Sequence, residues 1–426
     1  MVGDVMEKVV RTKKGKNKNK NHKIGMRYYD FNLAFLILFA CAIGLIIIYS
    51  ASAYIAKSKN LESTYFLKRQ LITIGAGFGL MILFSFINYK WFKFRVKLPV
   101  PGLLRVLLHK KSFVISLPGI LLVGMTILQG YTSFFAPVHN GARRWLEIKG
   151  FTFQPSELAK FVVIIFGAYI CSRKPKEVNT FWGFIKAMLY VTPLIALILK
   201  ENLSAAIIVT AIYGVIIFVN AKKTLPYFIL AGIAGVAVKV GVKFFGGYRS
   251  DRFEILENVE TSEKGQQILQ GLYAIASGGL FGKGLGGSEQ KYGRVPEAYN
   301  DMIFTIICEE FGLFGGLAII LLFVLILVRM FVVIMNAKDR FGALVGVGIM
   351  SQIGIQVVLN ILVVTSVIPS TGVILPFISF GGTAVIIMLF EIGIFLNISW
   401  KIEYKNRLLA KRAGKYYNNN RTLSLR

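Results

Sequence analysis

Ten apolar runs, at 31–52, 70–89, 112–129, 156–171, 183–199, 203–220, 226–245, 302–329, 342–366 and 374–398, are separated along the chain by shorter polar stretches. About 20 apolar residues in a helix cross the hydrocarbon layer of a bilayer. The pattern therefore predicts an all-α polytopic membrane protein with about ten transmembrane helices. The polar stretches differ in sign. "YKWFKFRVK" with "RVLLHKK", "SRKPKE", "NAKK", "RMFVVIMNAKDR" and "KIEYKNRLLAKR" are basic and alternate with less basic loops. The positive-inside rule then puts both termini in the cytoplasm. Three segments face outward: 53–69, 130–155 and 246–301, the last a large extracellular loop between the seventh and eighth helices.

Composition excludes the soluble classes. With 55% hydrophobic and 17% charged residues over 426 positions and a mean hydropathy of +0.62, the chain is more apolar than a soluble core of that size requires. Fifty Lys and Arg against 21 Asp and Glu give a net charge of +29, much of it at the two ends and in short loops. That distribution is topogenic and gives no reason to expect a nucleic-acid partner. The opening "KVVRTKKGKNKNKNHK" lacks the apolar core and small-residue cleavage site of a signal peptide. Residues 1–29 are thus expected to be a retained, disordered basic tail, 30–400 one transmembrane domain, and 401–426 a second basic tail. Cys41, Cys171 and Cys308 have no paired spacing, and His22, His109 and His139 are scattered. Neither a disulfide framework nor a zinc site is predicted.

The stretch "GRVPEAYNDMIFTII" ends the longest outer loop with Asp301 at the membrane boundary. Two readings stand side by side. A carboxylate there caps the following helix and complements its dipole, or it serves as a general base beside an amphiphilic substrate. Glu309 and Glu310 lie about two turns deeper, and Lys239 and Lys243, four apart on the preceding helix, are their expected ion-pair partners. In "HNGARRWLEIKGFTFQPSELAKF", Arg143 and Arg144 suit phosphate and Trp145 suits a sugar ring or the interface. Glu157 and Lys160, three apart, read as an intramembrane ion pair. Arg69, Lys283 and Lys291 add outward cations, which together suit a pyrophosphate head group. Gln352, Gln356 and Asn360 share one helix face and point toward other helices. The glycines of "SGGLFGKGLGG" suit a backbone that approaches another surface closely. Pro369, Pro376, Gly381 and Gly382 break the apolar runs around 368–384, and irregular backbone at that depth implies a covering protein wall or a cavity.

Five ordered blocks carry a resemblance: "YFLKRQLI", "NGARRWLEIKGFTFQPSELAKF", "QGLYAIASGGLFGKGLGGSEQK", "VPEAYNDMIFTIICEEFG" and "QVVLNILVVTSVIPSTGVILPFISFGG". They are similar to the SEDS family of shape, elongation, division and sporulation proteins, which includes FtsW, RodA and SpoVE. The resemblance implies a peptidoglycan glycosyltransferase that polymerises lipid II at the outer face of the plasma membrane, working with a class B penicillin-binding protein. Asp301 takes the place of the family's essential aspartate, preceded here by Asn300 where the family has threonine, while Trp145 and Lys160 match two further motif positions. "KENLSAA" at 200–206 departs from the family pattern. The implied reaction has Asp301 deprotonate a GlcNAc 4-hydroxyl, which attacks the anomeric carbon of the undecaprenyl-pyrophosphate-linked glycan with inversion. Arg69, Arg143, Arg144, Lys160, Lys283 or Lys291 would steady the departing pyrophosphate, or a divalent cation such as Mg or Mn would. "NDMIFTIICEEFG" is closer to the FtsW and SpoVE branch, which implies a divisome or sporulation setting. A RodA-like elongation polymerase, a lipid II flippase and a structural scaffold are the rival readings.

Overall fold

The computed structural model describes residues 29–99, 112–138, 141–148, 151–221, 265–293, 295–369 and 371–402. The expected seventh span at 226–245, with Lys239 and Lys243, and nearly all of both basic tails lie outside them. Among the described residues nine helices are long and apolar enough to cross a membrane. In chain order the helices are α1 (Phe31–Ser58), α2 (Tyr65–Phe86), α3 (Leu117–Phe135), α4 (Pro155–Arg173), the short α5 (Pro175–Val178), α6 (Phe181–Glu201) and α7 (Leu203–Asn220). After them come α8 (Gln266–Ser277), α9 (Ile303–Met335), α10 (Arg340–Val364) and α11 (Gly382–Trp400).

Their starts are written in local chemistry. Asp30 accepts from Leu33 N at 3.0 Å to open α1, Asn202 accepts from Ala205 N at 3.1 Å to open α7, and Asp339 accepts from Gly342 N at 2.9 Å to open α10. Pro155 sits in the first turn of α4, where its missing N–H costs nothing. Helices α4 and α11 are the most enclosed, with 78% and 83% of their apolar windows buried. They form the axis of the bundle. Helix α2 packs along α11, α4 is flanked by α3, α7 and α10, and α9 lies between α1 and α10.

Four departures from the hydropathy pattern have physical reasons. The run at 112–129 is divided: residues Ser112–Ser116 pair antiparallel with Arg95–Pro99, and the helix begins only at Leu117 behind the Ser116 cap. A second small hairpin pairs Leu146–Ile148 with Phe151–Phe153 ahead of α4. The run at 374–398 is helical only from Gly382; Val373–Gly381 stay irregular because groups outside a helix ladder satisfy part of their backbone. Gln70 Nε2 donates to Ser379 O at 3.2 Å, the Ser379 hydroxyl accepts from Leu375 N at 2.8 Å, and Phe380 N donates to Tyr299 O at 3.0 Å. Finally, α9 is broken at Gly312 (φ 68, ψ −166). The orphaned groups at the break are taken up by the glycine-rich loop before it. Lys283 N and Gly284 N donate to Glu309 O and Glu310 O at 3.0 and 2.9 Å, while Leu313 N and Phe314 N donate to Gly279 O and Leu280 O at 2.9 and 3.3 Å.

Both ends of the bundle's chain meet on one side. Asp30 N donates to Ser399 Oγ at 3.3 Å and Arg329 pairs with Asp30 at 2.9 Å. Residues 295–302 and the irregular segment 366–381 lie at the opposite end, beside the start of α4.

Candidate active site

At that opposite end the starts of α4 and α7, the turn before α9 and the irregular segment before α11 enclose a cavity of about 280 Å³. Its wall includes Trp145, Glu157, Lys160, Asn300, Gln356 and Gly372. The Lys160 ammonium is 1% exposed and lies 2.8 Å from Glu157 Oε2. Removing one partner from such a pair would leave a buried charge behind, a far larger loss than the pair's own net worth.

Asp301, 7% exposed, follows the cavity-lining Asn300 in the chain and lies beside the lining residue Gly372, one layer back from the cavity wall. The N-cap position of α9 is Met302, whose side chain makes no cap hydrogen bond, and Asp301 stands one residue before it. Asp301 is thus not at the N-cap position, and its carboxylate lies beside the loop between α10 and α11. A Cβ built on Gly372, whose φ is 66, would lie 3.8 Å from Asp301 Oδ2. The backbone of Asp301 is held from below. Asn360, fully buried on α10, donates through Nδ2 to Asp301 O at 2.8 Å and to Val373 O at 2.7 Å. Ser204 on α7 donates to Thr371 O at 3.0 Å, and Thr383 on α11 donates to Thr152 O at 2.8 Å. Asn360, Ser204 and Thr383 thus tie α10, α7 and α11 to the non-helical chain of this end. Burial, with the carboxylates of Glu297 and Asp301 nearby, pushes the Tyr299 phenol up to about 12, so it remains neutral. Its ring packs on Phe66 and Phe380 with centroids 4.5 and 5.7 Å apart.

The cations expected to act together are divided between sites. Trp145 and Lys160 face the cavity. Arg143 N donates to Glu201 Oε2 at 2.8 Å, its guanidinium donates to Phe134 O, and Arg144 Nε donates to Glu201 O at 2.7 Å. Arg69 is exposed and donates to the Tyr65 hydroxyl at 3.1 Å. Lys283 pairs with Glu309 at 3.1 Å and Lys291 with Glu310 at 3.0 Å. Glu309 and Glu310 are themselves fully buried and also accept from Ser288 and Ser50, at 2.5 and 2.6 Å. These two lysines hold the glycine-rich loop to α9, and Lys291 also lines a second, more apolar cavity of about 660 Å³, with Leu45, Tyr49, Lys57, Leu67, Leu285 and Tyr292. Sequence reasoning passed over Asn202, Thr152, Thr371 and Thr383. They carry no charge or spacing signal, and only the fold brings them to one place. Among the described residues no cluster of three or more His, Cys, Asp or Glu is placed to hold a metal ion.

The FtsW/RodA/SpoVE model, described as cell cycle protein, matches residues 31–404. Stage V sporulation protein E of Bacillus subtilis (strain 168) is 37% identical over 374 residues, covering 87% of this chain and 96% of that protein. A probable peptidoglycan glycosyltransferase FtsW of the same organism is 33% identical over 392 residues, covering 89% and 92%. Among solved structures, a chain from work on structural coordination of polymerization and crosslinking by a peptidoglycan synthase complex matches with TM-score 0.69 at 25% identity, covering 88% of this chain and 99% of that one. The rod shape determining protein RodA of Thermus thermophilus shares the fold at TM-score 0.61 and 24% identity, covering 88% and 98%. A match that spans the bundle from the first helix to the last, with relatives covered almost end to end, leaves one assignment: this multi-pass membrane protein belongs to the FtsW/RodA/SpoVE family of cell cycle proteins.

Proposed function

We propose that the chain is a peptidoglycan glycosyltransferase that polymerises lipid II at the outer face of the plasma membrane, in division or sporulation, with Asp301 as general base. The observation that carries this reading is the placement of the Asp301 carboxylate directly behind Gly372, a wall residue of a cavity that also holds Trp145 and the buried Glu157–Lys160 pair. A sugar seated there would offer its 4-hydroxyl to the carboxylate, which takes the proton as the oxygen attacks the anomeric carbon of the donor. The leaving pyrophosphate carries its charge away on the lipid. Lys160 is the cation in the cavity wall, and the larger apolar cavity beside Lys291 is of a size to take part of a polyprenyl chain. The basic end, with Lys90, Lys93, Lys174, Lys176, Lys338 and Arg340, is read as cytoplasmic, which sets the cavity outside. The name of the FtsW relative supports the reaction, and the neighbour's complex, which couples polymerization to crosslinking, supports a crosslinking partner, here taken to be a class B penicillin-binding protein.

Purified protein supplied with lipid II on its accessible face tests the reading. Parent protein makes glycan polymer, and Asp301→Asn, with an unchanged melting temperature, loses activity by about 10²- to 10⁴-fold. An Asp301→Asn protein that polymerises like the parent overturns the base assignment. A parent that makes no polymer from substrate already outside, yet moves lipid II across vesicles, is a flippase.

A further inference from the structure

At the end of the bundle away from the cavity, the described parts of the connection between α2 and α3, residues 87–99 and 112–116, form a small platform. We infer that this platform is a lipid-binding surface, seated in the headgroup layer and selective for anionic phospholipid.

Its base is firmly mounted. Tyr89, 1% exposed, donates from its backbone N to Asn397 Oδ1 at 3.1 Å and from its hydroxyl to Asp339 Oδ1 at 3.0 Å. Leu117 N donates to Phe94 O at 2.9 Å and closes the loop where the strands leave the bundle. Its depth is fixed as well. Helix α2 ends at Phe86, whose ring meets Trp400 edge-on at 5.7 Å, so the platform begins within a few residues of an aromatic pair of the kind that marks a membrane–water boundary.

Above this base, large apolar side chains are left uncovered. Trp91 is 70% exposed, Phe94 64%, Val96 43% and Ile115 41%. Val96 and Ile115 are direct cross-strand partners, and two residues on Leu98 pairs with Phe113. By strand alternation Val96 and Ile115 share one face, and Arg95 with Ser116 shares the other. A two-stranded ribbon with an apolar face in water has little to stabilise it, and its open edges bar it from the hydrocarbon core. The headgroup layer meets both constraints. The charge chooses among lipids: the described residues 87–99 and 112–116 hold Lys90, Lys93, Arg95 and Lys97 and no Asp or Glu. Lys90 and Lys93 lean on Asp339 at 3.7 and 3.3 Å yet keep 38% and 40% of their side chains exposed. Cations spaced between apolar side chains at the surface are matched by phosphate groups bearing net negative charge over acyl chains.

The test uses full-length protein in nanodiscs. An environment-sensitive fluorophore is attached at Val96→Cys, against an unlabelled-site control in which Cys41, Cys171 and Cys308 remain buried. With phosphatidylglycerol in the disc, the emission shifts blue and headgroup-region nitroxide lipids quench it at least threefold more than iodide does. In pure phosphatidylcholine the preference is lost, as it is in Arg95→Gln/Lys97→Gln. Raising salt to 0.5 M weakens the phosphatidylglycerol effect in the parent sequence itself, a check that needs no charge variant to fold. Emission that stays water-like in both lipids overturns the inference. So does equal lipid quenching in both, which shows contact without anion recognition, and so does a blue shift that appears only when soluble protein is added.

Discussion

Asn360 is fully buried, yet it ties together the two backbone segments that frame Asp301. Its amide satisfies two carbonyls at once, and leaving either unpaired in a buried place costs about 1–3 kcal/mol. Asn360→Ala should therefore let the Asp301 turn and the Val373 segment drift apart by a fraction of an ångström. Misplacement on that scale lowers turnover without touching the base itself. Polymerisation by Asn360→Ala is expected to fall about tenfold or more, with the lipid II concentration dependence little changed. If Asn360 acts only through Asp301, then Asn360→Ala/Asp301→Asn will be no slower than Asp301→Asn alone. Steady-state rates of the three variants decide this, and multiplicative losses would show that Asn360 serves the fold and not the base.

Elements were legible in the sequence where hydropathy alone determines them. The run at 203–220 coincides with α7, since an uninterrupted apolar stretch in lipid has no alternative to internal hydrogen bonding. Legibility ended where one element completes another. The segment Ile374–Phe380 is as apolar as a span, but Gln70 and Tyr299, far off in sequence, supply its hydrogen bonds. Glu309 and Glu310 clearly needed partners, and the lysines that supply them, Lys283 and Lys291, sit in a loop whose path depends on the break in α9. The glycines of that loop did announce a close approach, without saying to what. A Cβ at Gly282 would fall 2.3 Å from Glu310 O, and one at Gly312 would fall 2.4 Å from Leu280 O, both at positive φ. Gly282→Ala and Gly312→Ala are each expected to cost more than about 2 kcal/mol, since strain and a backbone clash add. Gly284 has positive φ with nothing near, so Gly284→Ala should cost only about 1 kcal/mol, and Gly214→Ala, in an open stretch of α7, should cost nothing. Thermal unfolding in detergent ranks the four, and equal melting temperatures would mean that the loop does not dock into the break.

At the scale of the whole molecule the two ends of the bundle are built differently. The end with the cavity is broken backbone mended by side chains, whereas the other is clamped by charge: Arg329 on Asp30, and Lys90, Lys93 and the Tyr89 hydroxyl on Asp339. A bundle fixed at one end confines any opening for a lipid-linked sugar to the other. The Asp339 clamp gives this division a pH signature. Burial raises the Asp339 carboxyl, but the Gly342 N–H, Lys93, the Tyr89 hydroxyl and Lys90 outweigh it and hold the group below its ordinary value. A carboxyl depressed in the folded state stabilises above its unfolded pKa of about 3.9, and the contribution disappears as pH falls through the depressed value. Asp339→Asn should then lower stability by about 1–2 kcal/mol near pH 7. The gap between parent and variant should close as pH is lowered from about 5 toward 3, and adding salt should narrow it at neutral pH because Lys90 and Lys93 are partly exposed. Polymerisation at neutral pH, measured below the melting temperature, should change less than stability does, since the lost bonds lie at the far end from Asp301. A variant whose activity falls in step with its stability would mean that the two ends move as one, and that clamping the basic end sets how far the cavity can open.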